Sequence, residues 1–326
     1  MCERTKVIIL IAILGVLCPN LLIMVMGRRD TVEPVAAVAT EAGEAPPKAE
    51  DADRMIAVLD RDGMVREIAE DAYLRSVILC EMPAEFELEA LKAQAVVART
   101  YALRRVNDST KHTNAAVCMD PSCCQGYKSV EDYLSQGGKV SDVEKIERAV
   151  SETKNMVLTY NGKLIEATYF SCSGGHTEDA LAVWGTDIPY LRAIPSPGEE
   201  HAARYTDTVT FTTAEFAKKL GCNMPENTNN LVDNVAYTAG GGVETLNICG
   251  KKFTGTAVRQ CLGLRSTAFA ITAVGDSVTV TTRGFGHRVG MSQYGADAMA
   301  AAGSSFDEIL LYYYRGVTLS RYISGN

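Results

Sequence analysis

The sequence predicts an α+β fold of mixed helices and antiparallel strands, preceded by one transmembrane helix. Helix-like and strand-like patterns follow one another without the regular alternation that indicates a parallel sheet. Asp-Gly at 62–63 and Asn-Gly at 161–162 are turn signals that favour antiparallel hairpins. A mostly apolar run near the start of the chain is long enough to cross a bilayer as a helix. With 326 residues, 47% of them hydrophobic, the chain can bury a large core.

Residues 1–29 are predicted to be a membrane anchor. Residues 7–26 are mostly apolar, and basic residues flank them on both sides. A cleaved signal peptide is the alternative, but its apolar core would be shorter and would end at a small-residue cleavage site. The flanking charges orient the segment poorly under the positive-inside rule. We therefore expect a single-pass protein of the cell membrane.

Residues 30–53 are predicted to be a disordered linker. They are rich in Ala, Glu and Pro, and this composition cannot bury enough apolar surface to become ordered. The folded domain is then expected over residues 54–326. A formal net charge of -8 leaves no surplus of cations to neutralise phosphates, which argues against nucleic-acid binding.

The first elements of the domain follow from local patterns. MIAVLDRDGMVREI (55–68) predicts two strands around an Asp-Gly turn. The helix that follows has to end near Met82, because Pro83 disfavours helical geometry in the residue before it. A long helix is predicted to begin at Pro83. Its core-facing apolar residues recur every three or four positions and are Leu88, Leu91, Ala95, Ala98 and Ala102.

The remaining elements alternate between helices and strands. SDVEKIERAVSETKNMV (141–157) predicts an amphipathic helix, and VLTYNGKLIEATYF (157–170) predicts a hairpin. Residues 206–283 alternate strand-like runs and turns, with a short helix at TAEFAKKLG (213–221). A glycine-rich loop and two helices follow.

Glu81 is a candidate catalytic acid. Because Met82 is expected to be extended, Glu81 lies at the corner between two helices. Its sequence neighbours are apolar, and apolar surroundings raise the pKa of a carboxyl group by disfavouring its ionised form. A carboxyl that is protonated near neutral pH can protonate a glycosidic oxygen. The alternative is that Glu81 only stabilises a helix end. That role is assigned to the acids of the next helix, which are Glu85, Glu87 and Glu89.

Residues 107–129 form a loop rich in Cys and His that could hold a metal ion. His112, Cys118 and Cys124, each separated from the next by five residues, are ligands that zinc accepts. The spacing matches no common zinc finger. A Cys118–Cys124 or Cys118–Cys123 disulfide is the alternative, and the spacing alone leaves both interpretations open.

Two glycine-rich segments could bring the backbone close to a ligand. SCSGGHT (171–177) and RGFGHRVGMSQYGA (283–296) lack the phosphate-binding and dinucleotide-binding patterns, and aromatic side chains beside amides favour a sugar. The sequence has neither a Gly-x-Ser-x-Gly elbow nor a His-Glu-x-x-His motif. A cysteine nucleophile at Cys80 or Cys172 has no histidine placed beside it.

Taken in order, these segments resemble the stage II sporulation protein D family, which shares its domain with the amidase-enhancer proteins. The resemblance covers roughly residues 65–320. It rests on EMPAEFELEALKAQAVVARTYAL, the His/Cys loop with CCQGY, SGGHT with VWGTDIPYL, and GFGHRVGMSQYGADAMA.

The resemblance implies a lytic transglycosylase that cuts peptidoglycan glycan strands between N-acetylmuramic acid and N-acetylglucosamine. Such enzymes prefer strands stripped of stem peptides and leave 1,6-anhydro ends. The resemblance also implies septal peptidoglycan remodelling and engulfment during endospore formation, with the catalytic domain outside the cytoplasm. The implied partners are an amidase/endopeptidase and a membrane protein of the engulfment complex.

The resemblance also assigns roles to residues. The family's catalytic glutamate is the one in Glu-Met-Pro, which is Glu81 here. In some members zinc is held by one histidine and two cysteines, which match His112, Cys118 and Cys124, and we expect that zinc to be structural. The expected substrate-binding residues lie on the long helix and on an opposite wall, and they are Gln94, Arg99, Tyr101, Ser173, Gly174, His287, Arg288, Gln293 and Tyr294.

The sequence departs from the family at the glycine-rich loop. The usual pattern is Gly-Trp-Gly-His-Gly-Val, and this chain has Phe285 and Arg288. The Arg288 guanidinium is expected to reach a sugar or a peptide-derived carboxylate. Three alternatives remain for the whole chain: a non-catalytic glycan-binding module like the amidase enhancers, a hydrolase, and a scaffold.

Overall fold

The structure is a computed structural model that describes residues 54–108, 111–203, 205–225 and 231–323. Over these residues the fold is α+β. Helices α1 to α9, in chain order, are Glu70–Glu81, Leu88–Asp108, Val130–Ser135, Val140–Glu152, Ala180–Trp184, Thr213–Leu220, Gly255–Leu262, Gln293–Ala301 and Phe306–Tyr313.

The strands are short and form several small sheets. Strands β1 to β14 are Met55–Leu59, Val65–Ala69, Val117–Cys118, Met156–Tyr160, Lys163–Leu164, Tyr169–Phe170, Thr206–Thr212, Val232–Tyr237, Val243–Ile248, Lys251–Thr254, Ala268–Val274, Ser277–Arg283, Met291–Ser292 and Thr318–Arg321. The sheet orders are β2-β1-β3, β10-β9-β8, β11-β12-β7, β13-β6 and β14-β4-β5. The pairs β1–β3 and β13–β6 are parallel, and the other pairs are antiparallel.

Within the described ranges, no helix combines the length and the apolar character needed to cross a membrane. This finding corrects the predicted transmembrane helix and the predicted single-pass location in the cell membrane. Residues 7–26, on which that prediction rested, lie outside the described part of the chain, as does the predicted linker at 30–53.

Helix α2 forms the centre of the larger core. Its predicted apolar stripe is buried, with Leu91, Ala95 and Ala98 fully inaccessible, but residues on its other faces are buried as well. A helix that is buried on all sides has neighbours all round. Helix α2 packs against α1, α4, α8, α9 and β4.

A second, smaller core lies within residues 206–283. Helices α6 and α7 pack there with the two sheets β11-β12-β7 and β10-β9-β8. Phe216, Val258, Val278 and Val280 are fully buried in it. The predicted helix at 213–221 is confirmed, with α6 ending at Leu220, but the predicted alternation of strands and turns did not include the second helix, α7.

The predicted turn at Asn161-Gly162 and the extended Met82 are confirmed, whereas the predicted start of the long helix is wrong. Asn161 and Gly162 both have positive φ, 50° and 75°, as the tight turn between β4 and β5 requires, so the hairpin is confirmed. Met82 is extended as predicted, with φ -123° and ψ 142°. The long helix, however, begins at Leu88 and not at Pro83.

Residues 83–87 form a turn before α2. The Phe86 N–H donates to the Pro83 carbonyl at 3.2 Å, and the Glu87 N–H donates to the Asp297 carboxylate at 2.7 Å. Glu85 and Glu87 therefore precede the helix. The predicted role as acids of the first helical turn holds only for Glu89.

Candidate active site

A cleft of about 610 Å³ opens beside the corner that follows α1. Its walls come from this corner, from the loop at 121–124, from β6 and from the glycine-rich loop before α8. Five of the predicted catalytic and substrate-binding residues line it together: Glu81, Tyr101, His287, Gln293 and Tyr294.

Glu81 is held at the wall of this cleft by a backbone donor. The Gly126 N–H donates to Oε1 of Glu81 at 2.5 Å. Burial raises the pKa of Glu81 above its ordinary value, although hydrogen bonds from the Gly126 N–H and the Tyr169 hydroxyl act in the opposite direction. The adjacent Met82 and Phe86 are buried apolar side chains. The carboxyl group therefore holds its proton to a higher pH than an exposed glutamate does.

Gly126 is a position where a side chain would disturb the acid. A Cβ atom there would lie 2.8 Å from Oε1 of Glu81 and 2.8 Å from Sγ of Cys80. Such separations are too short for non-bonded atoms, so a side chain would displace the carboxyl group. Glycine allows the N–H to approach the carboxyl closely.

A chain of hydrogen bonds leads from the core to Glu81. The hydroxyl of Tyr73, fully buried, donates to Oε1 of Gln125 at 3.0 Å. Nε2 of Gln125 donates to the Tyr169 hydroxyl oxygen at 3.3 Å, which leaves the Tyr169 proton for Glu81. Sequence reasoning missed Tyr169 and Gln125. The sequence marks only Gln125, through the Gln-Gly pair of the CCQGY segment, and it does not mark Tyr169.

Replacing Tyr169 with Phe is expected to shift the pH dependence of the reaction if Glu81 acts as an acid. The Tyr169 hydroxyl stabilises the carboxylate form, so its removal raises the pKa of Glu81 further. An acid works in its protonated form, and the high-pH limb of kcat/KM should therefore move to higher pH. Tyr133→Phe is the control, since it removes a hydroxyl that bonds Asp142 at 2.8 Å and does not line the cleft. An unchanged high-pH limb in Tyr169→Phe would contradict the assignment.

His287 forms part of the opposite wall as a neutral ring. Its Nδ1 accepts a hydrogen bond from the Val289 N–H at 3.1 Å, and the ring also bonds the backbone of Tyr169. Burial and the nearby Arg259 lower its pKa to about 4. With its nitrogens engaged in this way, His287 fixes the wall rather than moving a proton.

The wall also offers a polar donor and aromatic surfaces. Gln293, the first residue of α8, is 4% exposed, and its Nε2 has no hydrogen-bond partner among the described residues. Tyr294 packs edge-on against Phe86, with ring centroids 4.9 Å apart. Sequence reasoning missed Trp184, the only tryptophan of the chain. Trp184 is 41% exposed and lies beside the cleft, with its ring centroid 5.3 Å from that of His287.

Beside the cleft, four side chains converge as a candidate metal centre. The ligand atoms of His112, Cys118, Cys123 and Cys124 all lie within 4.8 Å of one another. Nε2 of His112 is 3.3 Å from Sγ of Cys124 and 3.6 Å from Sγ of Cys123. Tetrahedral zinc, with bonds of about 2.1 Å to nitrogen and 2.3 Å to sulfur, separates its ligands by similar distances. The donor set thus fits zinc.

The predicted alternative, a disulfide within this loop, is not formed: Cys118, Cys123 and Cys124 are all thiols. Cys123 joins the three predicted ligands as a fourth, which the spacing argument omitted. Cys124 and Pro121 also line the cleft, and Gly126 follows two residues later. One loop therefore carries both the candidate ligands and the N–H that holds Glu81.

Comparison with known proteins identifies the family. The family model for the stage II sporulation protein matches residues 60–160. Stage II sporulation protein D of Bacillus subtilis (strain 168) is 42% identical over 260 residues, which cover 78% of this chain and 76% of that protein. The chain belongs to the stage II sporulation protein D family. The protein of the same name from Bacillus amyloliquefaciens is 41% identical over 260 residues, 78% of this chain and 75% of that protein. The amidase enhancer of Bacillus subtilis is 29% identical over 304 residues, 76% of this chain and 40% of that protein.

In this stage II sporulation protein D family member, Gln94 and Arg99 do not line the cleft. Both are fully buried in α2, and neither amide atom of Gln94 has a hydrogen-bond partner among the described residues. Nε of Arg99 donates to Glu70 at 2.7 Å, and its NH1 donates to the Thr153 carbonyl at 2.7 Å. The structure therefore places Arg99 in the core and away from the cleft in which substrate is predicted to bind. Its guanidinium joins α1 to the end of α4.

Ser173 and Gly174 are also displaced from the cleft. The N–H and hydroxyl of Ser173, fully buried, donate to Glu199 at 2.6 and 2.9 Å. Gly174 has φ 71°, and a Cβ there would lie 2.7 Å from the Gly284 nitrogen. These two residues connect neighbouring loops and do not line the cleft in which substrate is predicted to bind.

Arg288, the departure from the family pattern, points into the protein and not toward a sugar. It is 1% exposed, and its guanidinium donates to the Ser173, His176 and Gly240 carbonyls and pairs with Glu178 at 3.2 Å. Its φ of 65° is a conformation that favours glycine. The four contacts hold Arg288 in this conformation. They join the glycine-rich loop to residues 173–178 and to the turn between β8 and β9.

Proposed function

We propose that this chain is a peptidoglycan lytic transglycosylase in which Glu81 transfers both protons. The observation that carries the proposal is that Glu81 is the only carboxylic acid among the described residues that line the cleft. Hydrolytic glycosidases use two carboxyl groups on opposite sides of the bond. A single acid suits a reaction whose nucleophile belongs to the substrate.

The first step breaks the glycosidic bond. Glu81, kept protonated by burial, donates its proton to the oxygen that links N-acetylmuramic acid to N-acetylglucosamine. The C1–O bond breaks and leaves positive charge on the sugar ring. The Gly126 N–H then stabilises the Glu81 carboxylate through the hydrogen bond it already makes.

The second step closes the anhydro ring. The Glu81 carboxylate removes the proton of the C6 hydroxyl of the same muramic acid residue, and the C6 oxygen bonds to C1. Because this nucleophile is tethered to the carbon that it attacks, its effective concentration is high. Glu81 returns to its protonated form, and no water molecule is consumed.

The opposite wall supplies sugar-binding surface. The unpaired Nε2 of Gln293 provides a donor for a carbonyl or hydroxyl of the glycan. Tyr294 and the half-exposed Trp184 provide flat apolar faces that suit pyranose rings. These features suit the pyranose rings and amide groups of a glycan strand stripped of stem peptides.

The relatives indicate where this chemistry would be used. The two Bacillus proteins are named for stage II of sporulation, and the third relative is named an amidase enhancer. We place the proposed activity in septal peptidoglycan remodelling and engulfment during endospore formation. An amidase/endopeptidase and a membrane protein of the engulfment complex are the proposed partners.

The test is the chemical identity of the products. Purified glycan strands without stem peptides are digested with the wild-type chain, and the products are analysed by mass spectrometry. Products that end in 1,6-anhydro-N-acetylmuramic acid support the transglycosylase. Products heavier by one water molecule would show a hydrolase and overturn the proposed mechanism.

A non-catalytic glycan-binding module is the second candidate, because one relative is an amidase enhancer. It predicts binding without cleavage. The single Trp184 beside the cleft provides a fluorescence signal for that binding. A saturable fluorescence change in the wild type, without any cleavage product, would favour the binding module over the enzyme.

The proposed cofactor is one structural zinc ion held by His112, Cys118, Cys123 and Cys124. Four protein ligands would leave no position open for a catalytic water molecule. Zinc would cross-link the loop. It would thereby keep the Gly126 N–H in place to donate its hydrogen bond to Glu81.

Metal analysis of the purified chain is expected to give one zinc per molecule. Cys123→Ser should reduce the zinc content and loosen the loop, which proteolysis between residues 111 and 128 would detect. Cys261→Ser is the matched control, since Cys261 is an exposed thiol outside the cluster. Full zinc retention in Cys123→Ser would restrict the ligands to the three predicted from the sequence, and a metal-free wild type would contradict the site.

A further inference from the structure

Two cysteines of the smaller core lie against each other. Sγ of Cys222 is 2.9 Å from Sγ of Cys249, although the two residues are 27 positions apart in the chain. The sulfurs of a disulfide are about 2.05 Å apart, so a covalent bond would need a displacement of only about 1 Å.

The backbone holds both cysteines in place. Cys222 follows Gly221, which ends α6 in the left-handed conformation, and the Cys222 N–H donates to the Ala217 carbonyl at 3.1 Å. Cys249 opens the turn between β9 and β10, and its N–H donates to the Leu231 carbonyl at 3.0 Å. The approach of the two sulfurs is therefore a property of the fold rather than of two mobile side chains.

The two cysteines belong to different layers of the smaller core. Cys222 extends α6, which packs on β7 and β12 of one sheet. Cys249 follows β9, the central strand of the other sheet. Both side chains are half-buried and lie beside the apolar side chains of this core.

We propose that Cys222 and Cys249 are a disulfide-forming pair that joins the end of α6 to the β10-β9-β8 sheet of the smaller core. The oxidant is a disulfide of another molecule, either a small linear disulfide such as glutathione disulfide or the disulfide form of a thiol oxidoreductase. One cysteine thiolate attacks that disulfide, forms a mixed disulfide and releases one thiol. The second cysteine thiolate attacks the mixed disulfide, forms the Cys222–Cys249 bond and releases the other thiol. Two electrons pass from the cysteine sulfurs to the oxidant, and the released thiols take up the two protons.

The other described cysteines have different surroundings, and Cys80 among them is exposed and lines the cleft. Cys118, Cys123 and Cys124 belong to the candidate metal centre. The buried thiol of Cys172 donates to Glu199 at 3.0 Å. Cys261 is exposed and belongs to the same region of the chain as the pair, which makes it the internal control.

The test uses the full-length chain with zinc added and glutathione disulfide as the oxidant. Remaining thiols are alkylated, and the chain is digested without reduction and analysed by mass spectrometry. The expected product is a cross-linked peptide pair that joins Cys222 to Cys249 and is lighter by two hydrogen atoms. This measurement on the wild type does not depend on the folding of any variant. Alkylation of both cysteines after oxidation, or a bridge from either one to Cys261, overturns the proposal.

Variants and thermal unfolding give a second, independent readout. In Cys249→Ser, Cys222 should stop at the mixed disulfide with glutathione, whereas Cys261→Ser should leave the bridge intact. The oxidised wild type should unfold at a temperature higher than the reduced form by roughly 5–15 °C, because the bridge restricts the unfolded chain. That difference should vanish in Cys249→Ser. Equal unfolding temperatures for the oxidised and reduced wild type would show that the bond does not stabilise the smaller core.

Discussion

Replacing Glu81 with Gln is expected to slow glycan cleavage by roughly 10²–10⁴-fold, the usual contribution of a general acid or base. Glutamine has nearly the same shape, and its amide oxygen can still accept the hydrogen bond from the Gly126 N–H. It cannot release a proton to the glycosidic oxygen or take one from the C6 hydroxyl. Glycan binding, followed through Trp184 fluorescence, should be retained, so the loss should fall on kcat.

Glu85→Gln is the matched control for this experiment. Glu85 lies only four residues further along the chain, but its side chain is exposed and does not line the cleft. Cleavage by Glu85→Gln should match the wild type. If Glu81→Gln cleaves glycan at the wild-type rate, the acid lies elsewhere and the proposed mechanism is wrong.

Replacing Arg99 with Met is expected to lower the free energy of unfolding by about 3–5 kcal/mol, because it breaks a buried ion pair on one side. Methionine retains the apolar stem but leaves Glu70 with Arg54 alone. It also removes the guanidinium hydrogen bonds to the carbonyls of Thr153 and Val150, at the end of α4. Urea unfolding followed by circular dichroism measures the effect.

Arg148→Met is the control for the Arg99 experiment. Arg148 pairs with Glu152 at 2.6 Å, but its side chain is 63% exposed, so the loss should be no more than about 1 kcal/mol. A variant Arg99→Met with unchanged stability and a raised KM for glycan would restore the substrate-binding role predicted from the sequence.

The stabilisation from Arg99 also depends on pH. Burial would raise the pKa of Glu70, but hydrogen bonds and charges from Arg54 and Arg99 hold it below its ordinary value. A carboxyl group with a lowered pKa stabilises the fold fully above its unfolded pKa, and the stabilisation is lost as pH falls through the folded pKa. The difference in stability between the wild type and Arg99→Met should therefore shrink in acid.

Local elements were predictable where short-range chemistry determines them. Asn161 and Gly162 supply the positive φ angles of their turn, and Pro83 keeps Met82 extended. The start of α2 was not predictable in this way. Residues 83–87 are held outside the helix by a hydrogen bond to Asp297, which lies far along the chain.

The residues of the cleft were predictable only where a local sequence motif marks them. Glu81 and Gln293 stand in recognisable motifs, and both line the cleft. Helical spacing could not reveal that Arg99 faces Glu70, because α2 is buried on all sides and no solvent face marks its orientation. Tyr169 was missed because an isolated tyrosine in a strand is common, and its connection to Glu81 exists only in three dimensions.

Helix α1 begins and ends with an acid, and the two acids have opposite pKa shifts: that of Glu70 is lowered and that of Glu81 is raised. Its first residue, Glu70, is fixed by two arginines, and its last, Glu81, has to reach the cleft. Each residue of a helix adds about 1.5 Å of length and about 100° of rotation. One residue inserted or deleted between these acids would therefore turn Glu81 away from Gly126 while Glu70 stayed in place. We expect related sequences to vary in the side chains of α1 but to keep the number of residues between its two acids.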